Sequence, residues 1–289
     1  MRNMKWVMLN SHVWNLIGDL MLGTLTIPYV FFPLIAGSPL GVLTVFFNVS
    51  PFVQTYVAVV CLGEVGASIV FMFENRQNHT VKTSLRITSE PWRRAFFAVN
   101  VSFPFAASLI AFAGIPDQDL AKIEMLKIVP CPTSEYYSLP VIVLSTDAKI
   151  IGGLLAFMLT FYFGQTGFFL IHVLFYLCIS TRSYTLSDKT KKLKQKYFVA
   201  VCIQMIVPIF IIGIPAGYFT FSIAMDYYNQ TVNNFCFLIM GTHGFFATIA
   251  TILIYENYRK DIWRFMVNRR RKFKVTLILS KSMTEVTYI

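Results

Sequence analysis

Few side chains in this sequence are placed to do chemistry, and the most telling of them stand in apolar surroundings. Asp19 lies within residues 13–36 and Glu64 within residues 51–76, two stretches otherwise dominated by aliphatic, aromatic and small residues. A carboxyl group at that depth of a bilayer is expensive, so it must face other helices. There it can serve as a polar switch between two helix arrangements, as a cation site, or as a structural hydrogen-bonding residue. Glu74-Asn75-Arg76 ends the second stretch with an acid, an amide and a base. The triplet is a candidate for coupling to a partner at the membrane boundary; the plainer role is a snorkelling interface marker. His12, His79, His172 and His243 share no metal-ligand spacing, and Cys61, Cys131, Cys178, Cys202 and Cys236 form no CxxC pair. Cys131, alone in a polar loop, is the cysteine best placed to pair. No nucleophile elbow, phosphate loop or HExxH motif occurs. No enzyme site, metal or cofactor is indicated.

The elements that hold these residues are membrane helices. The chain has 289 residues, is 56% hydrophobic and has a mean hydropathy of +0.60, while charged residues make up only 13%. That is about half the charged share of a soluble domain. Apolar runs stand at about 13–36, 52–74, 95–115, 150–180, 197–224 and 235–255. At about 1.5 Å per helical residue, twenty residues cross the roughly 30 Å of hydrocarbon. The expectation is an all-α, polytopic bundle over residues 1–258 with six visible spans, followed by a basic tail over 259–289. Pro28, Pro33, Pro208 and Pro215 fall inside runs, where neighbouring helices can re-satisfy the freed carbonyls. Residues 37–51 carry no charge and read as a short connection; residues 116–149 are the longest polar one. No internal repeat is present. No cleavable signal peptide is expected, since the early apolar run is too long and lacks a small-residue cleavage site.

Charge placement orients the bundle. The N-terminus, the segments after the second and fourth runs and the tail together hold 22 of the 25 Lys and Arg residues. The positive-inside rule makes that side cytoplasmic. The net charge of +11 is then orientation and attraction to anionic inner-leaflet lipid rather than nucleic-acid binding. The sequon at Asn229 falls outside, as glycosylation requires. The one at Asn48 is also outside but close to the membrane and followed by Pro51; the one at Asn78 falls inside and should be silent. Six spans place both ends in the cytoplasm.

Several segments resemble one family. Ile27-Pro28-Tyr29-Val30-Phe31-Phe32-Pro33, followed by Ala36-Gly37 and Pro39-Leu40-Gly41, is similar to the signature of nematode serpentine chemoreceptors of class H. Asn10-Ser11-His12 with Trp14 and Asp19 resembles the start of their second helix. Phe73-Glu74-Asn75-Arg76 resembles the end of their third. Thr242-His243-Gly244-Phe245 with Tyr258-Arg259 resembles their seventh helix and its exit, although Glu256-Asn257 stands where the family usually carries proline. The resemblance covers nearly the whole chain. It implies a rhodopsin-like receptor that senses small molecules and couples to a heterotrimeric G protein, in the plasma membrane of sensory cilia. Aligned in this way, the six runs are helices two to seven of a seven-helix receptor, and the first helix is lacking.

On this scheme, the outer halves of the helices collect Gln54, Tyr56, Tyr162, Tyr218, Phe221, Met240 and, deeper, His243 as candidate ligand contacts. Apolar walls with few convergent polar groups suit a small odorant-like molecule. Glu74, Asn75 and Arg76 are the candidate coupling residues. Arg76 is expected to pair, as an exposed ion pair would, with Glu74 or with a group at the inner end of the fifth run. In the tail, Ile262, Phe265 and Met266 share one helical face suited to the inner leaflet. Arg269-Arg270-Arg271-Lys272 could dock lipid or a G protein, and Ser280, Ser282, Thr284 and Thr287 could be phosphorylated. Two rival functions remain: a small secondary transporter with Asp19 and Glu64 as coupling-ion sites, and a truncated receptor product that does not signal.

Overall fold

The computed structural model describes residues 2–81, 86–182 and 187–254, and beyond them 256, 259, 260, 263–265 and 267. Residues 1–247 form one compact unit, and a second begins at Thr248. The chain is mostly helical. The long helices are α1 (Arg2–Leu20), α3 (Pro51–Thr80), α4 (Glu90–Phe112), α7 (Ala148–Arg182) and α8 (Asp188–Pro208). Shorter ones are α2 (Val42–Val45), α5 (Gln118–Ile128), α6 (Glu135–Ser138), α9 (Ile214–Ala224), α10 (Gln230–Met240) and α11 (His243–Ile254). π-helical stretches extend α1 over Met21–Leu25 and join α8 to α9 over Ile209–Gly213.

Helix α3 is the central element, packed against α1, α4 and α7. Its buried positions run from Gln54 to Gln77 and cover more than one face, as a helix surrounded on several sides requires. Gly63 permits the close crossing with α4: a Cβ there would stand 2.5 Å from the Pro104 ring. Helix α1 lies along α3, with Ser11 Oγ 3.5 Å from Ser68 Oγ and Gly18 against Val65, while Met8 and Asn15 are also buried. Ser11 and Asn15 are the buried polar residues of that face.

Among the described residues, four helices are long and apolar enough to cross a bilayer, or five if α10 and α11 count as one interrupted span. The bounds of the first expected run are corrected. Instead of a span over 13–36, helix begins at Arg2 and ends at Leu25, and its polar face lowers its apolar character. Ile27, at φ 42°, turns the chain out of the helix, and Pro28 supplies no backbone donor to continue it. Residues 28–39 then form a hairpin of β1 (Pro28–Val30) and β2 (Ala36–Pro39), in the register Pro28↔Pro39, Tyr29↔Ser38, Val30↔Gly37. Strand β3 (Ile142–Val143) adds antiparallel to β2.

This sheet is the base of a folded cap, where residues 116–149 were expected to be a polar connection and residues 28–36 part of a helix. Asp117 caps α5, accepting from the backbone of Asp119 and Leu120. Gln118 hydrogen-bonds both backbone groups of Val143, at 2.9 and 3.0 Å, and so stands in for a further strand. Phe31, Leu34 and Ala36 pack with Ala121, Met125, Val129, Tyr136, Val141 and Val143 in a core of their own. Burial pushes the Tyr136 hydroxyl above the ordinary phenol range. The cap is tied to α10, where Gln230 donates to Val30 O and Asn233 to Phe32 O. Cys131 is exposed and, among the described residues, no disulfide joins any of the five cysteines.

Candidate functional site: two adjoining apolar cavities and a buried inner latch

Two cavities lie beneath the cap. The inner one, about 230 Å³, is walled by α3 (Gly63, Gly66), α7 (Met158, Tyr162, Thr166), Pro208 and Ile212 at the π-helical break, α9 (Phe219) and α10 (Met240). The outer one, about 200 Å³, is roofed by the hairpin through Thr26, Pro28, Val30, Ser38 and Pro39 and floored by Thr55, Ala58 and Leu62 of α3. Phe32, Val59, Leu62, Leu155, Met158 and Phe237 border both. Phe32 reaches from the hairpin into the bundle and packs on Phe219 and Phe237, with ring centroids at 4.7 and 6.5 Å. Among the described residues, no Asp, Glu, Lys or Arg borders either cavity.

Of the seven residues expected to line a pocket, Tyr162 and Met240 border the inner cavity; the other five border neither. Gln54 is buried and spends its amide on Thr44 Oγ1 and Val49 O. Tyr56 packs edge-on against Phe112. Tyr218 donates to Asn229 O, and Phe221 is half exposed. His243 is buried, with no hydrogen-bond partner for either ring nitrogen among the described residues. The hairpin residues Thr26, Phe32 and Ser38 went unforeseen. Their signal was the bracketing of 28–39 by prolines with Gly37 between them, a turn-and-strand pattern rather than a helical one.

Asp19 joins α1 to α11 through backbone groups. Its two carboxylate oxygens accept from the backbone N–H groups of Gly244 and Phe245 at 2.9 and 3.0 Å, at the first turn of α11. The helix is interrupted at Gly241-Thr242, so these donors lack intrahelical partners, and a carboxylate at a helix N-terminus satisfies them. Glu64 is buried, with Cys61 and Tyr162 as electrostatic neighbours. Its Oε1 has no hydrogen-bond partner among the described residues.

The inner end of α3 is a latch. Glu74, Asn75, Arg76 and Gln77 are all buried, at 1% exposure or less. Arg76 donates to Gln204 of α8. Glu74 is held instead by Arg93 of α4 through two hydrogen bonds of 3.0 Å. The Arg93 guanidinium also reaches Asn75 and lies 5.2 Å from the Phe97 ring. Gln77 Nε2 stands 2.6 Å from His172 Nδ1 on α7. The expected exposed pairing is therefore corrected to a desolvated one that joins α3 to three helices.

Among the sequons, Asn229 is half-buried and caps α10, accepting from Val232 N. Asn48 is exposed in a left-handed turn at φ 47°. Asn78 sits at the opposite end of α3 and donates to Glu74 at 2.6 Å. Of the tail features, Phe265 is exposed. Ile262, Met266, Arg269-Arg270-Arg271-Lys272, Ser280, Ser282, Thr284 and Thr287 lie outside the described residues.

No solved structure matches the chain. Serpentine receptor class H-72 of Caenorhabditis elegans is 26% identical over 288 residues, covering 99% of this chain and 82% of that protein. Residues 1–268 match the family described as serpentine type 7TM GPCR chemoreceptor Srh. This match, over nearly the whole chain, establishes that the chain belongs to the class H serpentine chemoreceptors.

Proposed function

We propose that this chain is a receptor for a small molecule held in the paired cavities, and that occupancy is passed to a heterotrimeric G protein through α8. The observation that carries this is the proximity of cavity and latch on one helix. Pro208 and Ile212 border the inner cavity, and Gln204, which holds Arg76, lies one turn before Pro208. The π-helical stretch Ile209–Gly213 follows directly. Such stretches interrupt regular hydrogen bonding and mark places where a helix can shift register. A ligand that favours a displaced Pro208 draws Gln204 from Arg76, and the guanidinium becomes available at the inner face. The ligand shifts the equilibrium only by its differential affinity for the two arrangements. Residues 1–258 are the membrane bundle in this reading, with Asp19 and Glu64 as the intramembrane polar groups that differ between states. The protein sits in the plasma membrane with its C-terminus cytoplasmic.

The test is G-protein turnover with the full chain in membranes. Gln204→Ala should raise agonist-free turnover, and Arg76→Ala should abolish turnover in both backgrounds. Wild-type turnover in Gln204→Ala and in Arg76→Ala would remove the latch from the mechanism. A solute accumulated in vesicles against a gradient, and lost in Glu64→Gln, would replace the receptor with a transporter.

A further inference from the structure

Two hydroxyl groups in the roof of the outer cavity are left without partners. Thr26 and Ser38 are each 2% exposed, and both border the cavity. Among the described residues, neither Thr26 Oγ1 nor Ser38 Oγ has a hydrogen-bond partner. Native proteins rarely leave buried polar atoms in that condition, and each such case calls for an explanation. The backbone around them is satisfied: Thr26 O accepts from Leu40 N at 2.9 Å and from Gly41 N at 2.8 Å. That pairing sets Thr26, just before the hairpin, opposite Leu40, while Ser38 within it stands opposite Tyr29. Thr55, the third hydroxyl at this cavity, already donates to Pro51 O.

We infer that Thr26 and Ser38 form the polar subsite of the ligand site, and that the ligand is an uncharged molecule with one hydrogen-bonding group on an apolar body. This deepens the receptor reading and rests on it. The polar group, a carbonyl or hydroxyl oxygen, accepts from the Thr26 and Ser38 hydroxyls. The body passes Phe32 and Leu62 into the inner cavity, toward Tyr162 and Met240. An ammonium or carboxylate is excluded because neither cavity offers an opposite charge, and a buried unpaired charge is strongly unfavourable. A plain hydrocarbon would fill the space and leave both hydroxyls unpaired. Each methylene that reaches the inner cavity should tighten binding about fourfold until the cavity is full.

The experiment uses the full chain in lipid nanodiscs, with 2-nonanone, nonane and nonylamine as probes and ligand-dependent thermal stabilisation as readout. Saturable stabilisation by 2-nonanone is expected. Thr26→Val and Ser38→Ala should each weaken it about three- to tenfold, leave nonane unaffected, and not lower the unfolding temperature without ligand. Leu62→Trp, which blocks the passage, should weaken both probes. If 2-nonanone and nonane stabilise equally and the hydroxyl variants change neither, the hydroxyls hold water and the polar subsite falls. The receptor reading survives that result provided Leu62→Trp still blocks binding. Nonylamine binding as well as the ketone would overturn the uncharged class. A lowered unfolding temperature in both hydroxyl variants, with unchanged ketone binding, would make the pair structural. No saturable effect of any probe on wild type would overturn both this inference and the small-molecule cavity.

Discussion

Asp19 holds the start of α11 by two charge-assisted hydrogen bonds, and Gly244 is what lets it come so close. A Cβ at residue 244 would stand 2.7 Å from Asp19 Oδ2 and 2.9 Å from Asn15 O. Three substitutions separate the contributions. Asp19→Asn keeps an acceptor but loses the charge, and should cost about 1–2 kcal/mol. Asp19→Leu leaves both donors unpaired and should cost about 3 kcal/mol or more. Gly244→Ala should cost about 1–3 kcal/mol by crowding the carboxylate. Thermal unfolding in detergent should give that order, with Asp19→Asn also altering the ligand response. Equal stability for Asp19→Leu and wild type would show that the clamp contributes nothing. At the inner end, the burial of Glu74 and Arg76 changes what their substitution means. An exposed pair contributes about 0–1 kcal/mol, but Arg76→Ala takes away the donor that satisfies the buried Gln204 oxygen and should cost about 1–3 kcal/mol. Arg76→Ala should therefore lower surface level as well as coupling, and the turnover readout must be scaled to the amount at the surface.

At the scale of elements, the stretch from α8 through Ile209–Gly213 into α9 is where cavity and latch meet. A π-helical segment carries one residue more than the regular helix it interrupts, so removing one restores α-helical register on both sides. Phe210 is the residue to delete, because its side chain is largely exposed and borders neither cavity. The deletion should shift unfolding free energy by no more than about 1 kcal/mol, as for a surface change, and leave α9 in place against α7. Ligand-driven G-protein turnover should fall to its basal rate while ligand still binds. A deletion variant that signals normally would show that the π-helical break is not the moving part.

At the scale of the whole molecule, charge placement predicts the orientation. The end of the unit that carries the cap also carries Asn48 and Asn229, since Tyr228 beside the second sequon hydrogen-bonds Thr133 N in the cap. Asn78 lies at the other end, where its backbone carbonyl accepts from Arg86. The concentration of Lys and Arg at that other end predicts that Asn229 and Asn48 face outside and Asn78 inside. In translation with microsomes, a glycan is expected on Asn229, with Asn48 the better exposed of the two outer acceptors. A glycan on Asn78 with none on the others would invert the topology. The cap closes this end with its own core.

Residue types and their order were enough to determine the membrane class, the mostly helical fold and the centrality of α3. These follow from run length and from the cost of charge in hydrocarbon, both local properties of the chain. The family resemblance was legible in the same way, in short segments such as Ile27 to Pro33. The first run was misjudged because apolar composition does not distinguish a buried strand from a helix, and Pro28 and Pro33 were read as tolerated kinks. Only the tertiary structure decided which partners the polar residues take: Asp19 with the backbone of α11, Glu74 with Arg93, Arg76 with Gln204. It also decided that Thr26 and Ser38, unremarkable in the sequence, stand unpaired over a cavity while Gln54 and Tyr218 are already engaged. The physical reason is that helical or strand periodicity tells which way a side chain points, whereas hydrogen-bond partners and empty volume depend on segments far apart in the chain.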